Sequence, residues 1–226
     1  MKKQWVLPFT ILLILSLPLG AQESRDGGLA PEEARKIWNR VFSRGSLGYS
    51  SDVNAFLAEV VADLPPGKAL DIGMGQGRNS LYLAEQGWDV TGFDISDEAV
   101  DQARAAARKR GLEMEVLAGD VNKFDYGKKK WDLVVAMYMH GLIMPHTASI
   151  IESLKPGGML VIEGFHRDLN RESVQGGHFG FRSNELLRAF DGLRVLHYQD
   201  LVERADWGDG APNPIVRLAA RKEEMP

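Results

Sequence analysis

The stretch Leu70-Asp71-Ile72-Gly73-Met74-Gly75-Gln76-Gly77-Arg78-Asn79 decides the fold of this chain. An apolar run ends at Asp71, three glycines follow at alternate positions, and a helical pattern then leads to Val90-Thr91-Gly92-Phe93-Asp94. Glycines let the backbone turn tightly and let a ligand approach without meeting a Cβ atom. Asp94 follows Asp71 by 23 residues, which in a doubly wound α/β sheet places it at the carboxyl end of the second strand, beside a bound ribose. The pattern therefore predicts a pocket for an adenine nucleoside.

The acid before the glycines discriminates between kinds of nucleoside ligand. A glycine motif alone is a weak signal. A pyrophosphate favours backbone N–H groups and a helix N-terminus over an adjacent carboxylate, whereas Asp71 suits a ligand with a cationic amino acid end. S-adenosylmethionine has an ammonium, a sulfonium and a ribose, and is therefore the expected cofactor. A dinucleotide site and a turn without ligand stay open as alternatives.

The run from Asp71 to Leu83 resembles class I S-adenosylmethionine-dependent methyltransferases, nearest to the tellurite-resistance and thiopurine-type small-molecule methyltransferases. The resemblance covers roughly residues 35–222 and is strong in the cofactor half. Met74 stands where many relatives have Cys, and both side chains are apolar. The resemblance implies a Rossmann-like doubly wound sheet, mostly parallel with an antiparallel C-terminal edge strand, and methyl transfer to a small-molecule acceptor such as a thiol or chalcogen.

Apolar runs alternate with helical periodicities along the rest of the chain, which favours a parallel sheet with helices on both faces. The predicted strands are 68–72, 88–93, 113–118, 131–137 and 158–164, and the predicted helices are 78–86, 97–110, 145–154 and 183–190. Two strands in succession, 193–202 and 214–221, predict a hairpin that adds an antiparallel edge. Ser96 is expected to cap the helix over 97–110. Two further helices are predicted before the first strand, one opened by Pro31 and one capped by Asp52.

Ligands of open α/β sheets bind outside the carboxyl ends of the strands, so the residues there form the predicted cofactor site. Asp94 is expected to accept from the ribose hydroxyls and Asp120 from the exocyclic amine of adenine, and by the resemblance these are the family's ribose and adenine acids. Turn-capping roles for both acids stay open, as does helix capping for Arg78. The full predicted set is Asp71, Gly73, Gly75, Gly77, Arg78, Asp94, Ile95, Asp120, Val121 and Met137.

Methyl transfer mainly requires a nucleophile aligned behind an activated methyl group, and for some acceptors the removal of a proton. The loops after the fourth and fifth strands supply three candidate catalytic residues, Tyr138, His140 and His166. The histidines, with Glu163, match no standard spacing of metal ligands, so no metal is expected. A non-catalytic cofactor-binding module and a nicotinamide-dependent oxidoreductase are the alternative functions.

Charge and the N-terminal segment limit the partners and the location. With a net charge of −4 the chain has no general electrostatic attraction to nucleic acid, so a small-molecule substrate is expected and nucleic acid is not. Residues 1–21 combine two early lysines, an apolar stretch and a Leu-Gly-Ala end, the pattern of a secretory signal. We expect this signal, a linker over 22–30 and a methyltransferase domain over 31–226. The chain is then exported to a bacterial periplasm, membrane-anchored if the signal is uncleaved, or cytoplasmic if it does not function; the oligomeric state does not follow from the sequence.

Overall fold

The computed structural model describes residues 30–44, 51–169, 180–206 and 211–224. The predicted signal over 1–21 and the linker before Ala30 lie outside these residues. Within the described part, no helix is long and apolar enough to cross a membrane. The helices there are α1 (Pro31–Ser43), α2 (Ala55–Val61), α3 (Arg78–Glu85), α4 (Asp97–Arg110), α5 (Thr147–Ser153) and α6 (Glu185–Ala189), and the strands are β1 (Lys68–Ile72), β2 (Asp89–Asp94), β3 (Glu115–Ala118), β4 (Trp131–Met137), β5 (Leu154–Phe165), β6 (Arg194–Arg204) and β7 (Pro212–Arg221).

The strands form one sheet in the order β3-β2-β1-β4-β5-β7-β6. Strands β1 to β5 pair in parallel, and β7 runs antiparallel to both of its neighbours, β5 and β6. The predicted fold class, a mostly parallel doubly wound sheet with an antiparallel hairpin at the C-terminal edge, is confirmed. The strand order reverses between β1 and β4, and such a reversal opens a crevice at the carboxyl ends of the strands.

The parallel strands are buried on both faces, which explains why they read as near-continuous apolar runs. Leu70 and Ile72 of β1 face a core that includes Ile150 of α5 and Leu186 of α6. Ala69, the residue before Leu70 in β1, faces the opposite core, which α2 and α3 cover. The sheet is thus the middle of three layers. The hydrophobic cores on its two faces hold the strands in place, and with them the strand ends that form the crevice.

The sequence predicted the N-terminal cap of one helix correctly and that of another wrongly. Ser96 caps α4 as its position suggested, because its Oγ accepts from the Ala99 N–H at 3.2 Å. Asp52 does not cap α2: the helix begins at Ala55, and the Oδ1 atom of Asn54 accepts from the Leu57 N–H at 2.9 Å. Asn54 is buried and contacts Glu163 of β5, so tertiary packing determines which residue caps α2.

Candidate cofactor and active site

The glycine turn between β1 and α3 has a backbone that side chains would not tolerate. Gly73, Gly75 and Gly77 have φ angles of 68°, 58° and 82°, in the left-handed region that favours glycine. A Cβ atom on Gly73 would lie 2.0 Å from Sδ of Met139. The Gly75 N–H donates to Oδ2 of Asp94 at 2.9 Å. The turn therefore lies directly against the acid at the end of β2, as the spacing predicted.

Asp71 lies inside the protein at the base of this turn. Its side chain is only 1% exposed, and Oδ2 accepts from Oγ of Ser80 at 2.6 Å. Burial raises the pKa of Asp71 to about 6, against the opposing effect of the Ser80 hydrogen bond. Direct contact between Asp71 and the amino acid end of a cofactor stays a prediction, since the carboxylate has its own protein partner.

Asp94 joins two loops and keeps acceptor capacity for a ligand. Its Oδ1 atom accepts from the Ser96 N–H at 2.8 Å, and its Oδ2 atom accepts from Gly75. Burial raises the pKa of this carboxyl group. A carboxylate has about four acceptor sites, so two bonds leave room for two hydroxyl donors. Ile95 follows at the same end of the sheet and is partly exposed.

A cleft of about 680 Å³ lies between the start of α1 and the segment after β3. Asp120 lines this cleft, and its Oδ1 atom accepts from the backbone N–H and the Nδ2 atom of Asn122 at 2.9 and 3.0 Å. The Oδ2 atom is buried and has no hydrogen-bond partner among the described residues. A buried acceptor without a partner costs roughly 1–3 kcal/mol, so a donor ligand is favoured there. The exocyclic amine of adenine is such a donor, and the cleft has the volume of a small-molecule site.

Two other predicted cofactor residues are buried: Val121, three residues after β3, and Met137, the last residue of β4. Arg78 bridges two loops instead of capping α3. Its Nη1 atom donates to the carbonyls of Asp52 at 3.1 Å and Asp206 at 3.3 Å. It thereby ties the segment after β6 to the segment before α2, and a contact with the cofactor carboxylate stays a prediction.

Tyr138 follows β4 with a φ angle of 58°, unusual for a residue with a side chain. Its hydroxyl donates to Oε1 of Glu163 at 2.5 Å and accepts from the Asp206 N–H at 3.2 Å. Burial, followed by the negative charge of Glu163, raises the pKa of Tyr138. The phenol therefore stays protonated near neutral pH, and a catalytic role for Tyr138 stays a prediction.

Glu163 lies near the carboxyl end of β5 and is fully buried. Its Oε1 atom also accepts from Nδ2 of Asn54 at 2.7 Å, and its Oε2 atom accepts from Nε of Arg217 at 2.6 Å. Arg217 also pairs with Glu203. A charged residue in an apolar strand signals that a partner exists, but the sequence does not say which residue supplies it.

The contacts of His140 argue against the substrate-side role that the sequence suggested. Its Nε2 atom accepts from the Phe165 N–H at 2.9 Å, and its ring stacks on that of Phe165 with centroids 5.8 Å apart. Burial lowers the pKa of His140 to about 3, so the ring is neutral. These contacts favour a packing role over proton transfer.

His166 is also held by protein groups. Its Nδ1 atom accepts from the Asp168 N–H at 3.1 Å, and its Nε2 atom lies 3.0 Å from Oγ of Ser183. With Nδ1 as acceptor, the neutral ring carries its proton on Nε2 and donates it to Ser183. The hydrogen bonds described above join Tyr138, His140 and His166 to different protein groups, while the rings of Tyr138 and His140 both pack against Phe165.

The chain is similar in sequence to a methyltransferase domain and to several known proteins. A family model described as a methyltransferase domain matches residues 69–158, which include the glycine turn, Asp94 and Asp120. Hemagglutinin 1 of Eikenella corrodens is 27% identical over 174 residues, which cover 74% of this chain and 58% of that protein. A probable S-adenosyl-L-methionine-dependent methyltransferase TehB of Haemophilus influenzae is 28% identical over 146 residues, which cover 61% of this chain and 49% of that protein.

The crystal structure of TehB from Haemophilus influenzae aligns with a TM-score of 0.65 at 22% identity, over 82% of this chain and 67% of that chain. This likeness shows a shared fold. The chain spans between 49% and 58% of the length of the two curated relatives named above.

Proposed function

Because the chain belongs to the class I S-adenosylmethionine-dependent methyltransferases, with the family's domain over residues 69–158, we propose that it methylates a small molecule. The acceptor atom is the sulfur of a thiol or another chalcogen. We propose that nucleic acid is not the substrate, because the net charge of −4 gives no general electrostatic attraction to it.

The observation that carries this proposal is the buried Oδ2 atom of Asp120, which lies in the cleft without a protein partner. Asp120 follows β3 and Asp94 ends β2, two adjacent parallel strands. Their acceptors suit the amine of adenine and the hydroxyls of ribose respectively. We assign the amino acid end to the glycine turn, whose Gly75 N–H donates to Asp94.

S-adenosylmethionine supplies, when bound, a methyl group that is already activated for transfer. The residues of this chain then need to hold, orient and shield the reactants. Tyr138 remains protonated and His140 remains neutral with its Nε2 atom occupied, so neither removes a proton from an acceptor. An alcohol acceptor is a poor nucleophile until a base within hydrogen-bond reach takes its proton. A thiolate or chalcogen anion is nucleophilic without one, which is why a soft acceptor fits this site.

A matched pair of acceptors tests the proposal. Thiophenol and phenol have the same shape and differ in the nucleophilic atom. Full-length protein with S-adenosylmethionine should form S-adenosylhomocysteine with thiophenol or a chalcogen anion and not with phenol, and Asp94→Ala should reduce the rate. Turnover with phenol or an amine but not with thiols would contradict the proposed acceptor class.

A second candidate function is a non-catalytic module that binds the cofactor. One observation favours it: all three side chains that the sequence suggested for catalysis are engaged by protein partners. This function predicts binding of S-adenosylhomocysteine with no product from any acceptor. The acceptor panel distinguishes the two, since thiol methylation above the uncatalysed rate excludes the module.

We also propose that residues 1–21 direct export, on the basis of the two early lysines, the apolar stretch and the small residues that follow it. Fusion of residues 1–30 to a phosphatase that is active only outside the cytoplasm should give activity. The same fusion with Leu13→Arg, which interrupts the apolar stretch, is the control. An inactive parent fusion would contradict export.

A further inference from the structure

Strand β6 forms one edge of the sheet, and this edge exposes both apolar and charged side chains. Among the described strands it pairs only with β7. Val195, Leu196 and Val202 on this strand are 40%, 44% and 70% exposed. An edge strand presents unpaired N–H and C=O groups, and an exposed apolar edge is a template for pairing with another strand. The edge is therefore suited to association.

A bulge in β6 determines which side chains share a face. Val195 lies opposite Ala220 and His197 lies opposite Ala219, so Leu196 is an extra residue in the strand. Because side chains alternate between faces, this extra residue places Val195 on the same face as Val202. It also places Arg194 on the same face as Glu203.

We propose that β6 pairs in antiparallel fashion with β6 of a second copy of this chain, about a two-fold axis at Gln199. A two-fold axis perpendicular to the sheet keeps each side chain on the same face of the combined sheet. Two residues then lie opposite each other when they are the same number of paired positions before and after Gln199, with the bulged Leu196 not counted. Val195 then lies opposite Val202 of the second copy, and Arg194 lies opposite Glu203. The strand is thus complementary to itself in both apolar contact and charge.

Neighbouring registers lack this complementarity. An axis at Tyr198 places Val195 opposite Asp200, and an axis at Asp200 places two aspartates directly opposite each other. Like charges in that position destabilise a strand pair. Arg194 is available for a new partner, since its present contact with Glu223 is 3.6 Å long and both side chains are solvent-exposed. Glu203 already pairs with Arg217 through Oε2, and its other carboxylate oxygen can accept from Arg194 of the second copy.

The chain contains no cysteine, so one introduced cysteine reports on the axis. In an antiparallel pair, opposite Cα atoms are about 4.5–5.5 Å apart, within reach of a disulfide. Gln199→Cys in the full-length protein should therefore form a covalent dimer on mild oxidation. Val202→Cys is the matched control: it is more exposed, but its counterpart lies about 20 Å away at roughly 3.4 Å per residue. It should crosslink only when mixed with Val195→Cys.

Light scattering on the full-length protein gives the independent readout. The parent protein should be dimeric at micromolar concentration, and Val202→Lys should be monomeric with an unchanged circular dichroism spectrum. Leu142→Lys, at an apolar position 49% exposed and away from β6, should remain dimeric. A monomeric parent, a dimer that survives Val202→Lys, or crosslinking of Val202→Cys alone as fast as Gln199→Cys would each overturn the proposal.

Discussion

Replacing Asp120 by Asn changes the hydrogen-bond character of one atom in the cofactor cleft. The Oδ1 atom of Asp120 accepts two hydrogen bonds from Asn122, at 2.9 and 3.0 Å. These donors retain the amide oxygen of the new side chain at that position, so its NH₂ group takes the place of Oδ2. The acceptor that we assign to the amine of adenine becomes a donor, and the turn after β3 keeps its contacts.

The size of the effect follows from this exchange. Cofactor binding loses a hydrogen bond to a charged group, and two donors then face each other. We expect a loss of about 1.5–3 kcal/mol in binding free energy, or roughly 10- to 150-fold in Kd. The unfolding free energy should not fall, because the substitution removes a buried carboxylate oxygen that has no partner among the described residues.

Calorimetric titration with two nucleosides measures the exchange. S-adenosylhomocysteine carries an amine on its base, and S-inosylhomocysteine carries a carbonyl oxygen at that position. Asp120→Asn should bind the first more weakly than the parent does and the second more tightly. Asp125→Asn is the control, since Asp125 lines the same cleft but its carboxylate accepts from the Gly127 N–H at 3.0 Å within its own turn.

The reasoning fails if Asp120→Asn weakens both nucleosides equally, since that result indicates a general loss of charge or structure. An equal loss in Asp125→Asn has the same meaning. Unchanged affinity for S-adenosylhomocysteine would remove Asp120 from the adenine site.

Two further predictions concern buried groups at the carboxyl ends of β1 and β4. Burial raises the pKa of Asp71 from 3.8 to about 6, so its contribution to stability is present below about pH 4 and is lost as the pH rises through 6. Asp71→Asn cannot ionise, and in urea unfolding it should therefore gain about 2 kcal/mol relative to the parent between pH 4.5 and 7.5; a constant difference would contradict the shift. Tyr138→Phe leaves Glu163 and the Asp206 N–H each without one partner, and it should lower the unfolding free energy by about 1–3 kcal/mol. Its pH–rate profile should match the parent's, and a hundredfold loss of kcat at unchanged stability would instead make Tyr138 catalytic.

The parts of the fold that the sequence predicted well depend on neighbouring residues. Strands β1 and β4 have the predicted bounds because buried parallel strands are apolar throughout. Ser96 was identified because a cap bonds within its own first turn. The start of α2 was wrong because Asn54 is fixed by Glu163, 109 residues away, and no local pattern encodes that contact.

The same distinction applies to the candidate site. Asp94 and Asp120 come together because parallel order places the ends of β2 and β3 side by side. His140 seemed suited to proton transfer because histidine titrates near neutrality. Its burial and its acceptance of the Phe165 N–H, 25 residues away, depend on how two loops pack together. Sequence spacing does not determine such contacts.

Titration of the full-length protein with S-adenosylhomocysteine and with NAD tests the central claim most directly. We predict saturable binding of S-adenosylhomocysteine with one site per chain, no heat from NAD, and a loss of about 1–3 kcal/mol in Asp94→Ala through unpaired ribose hydroxyls. Binding of NAD without binding of S-adenosylhomocysteine, or unchanged affinity in Asp94→Ala, would contradict the assignment of a methyl-donor nucleoside to the carboxyl ends of β2 and β3.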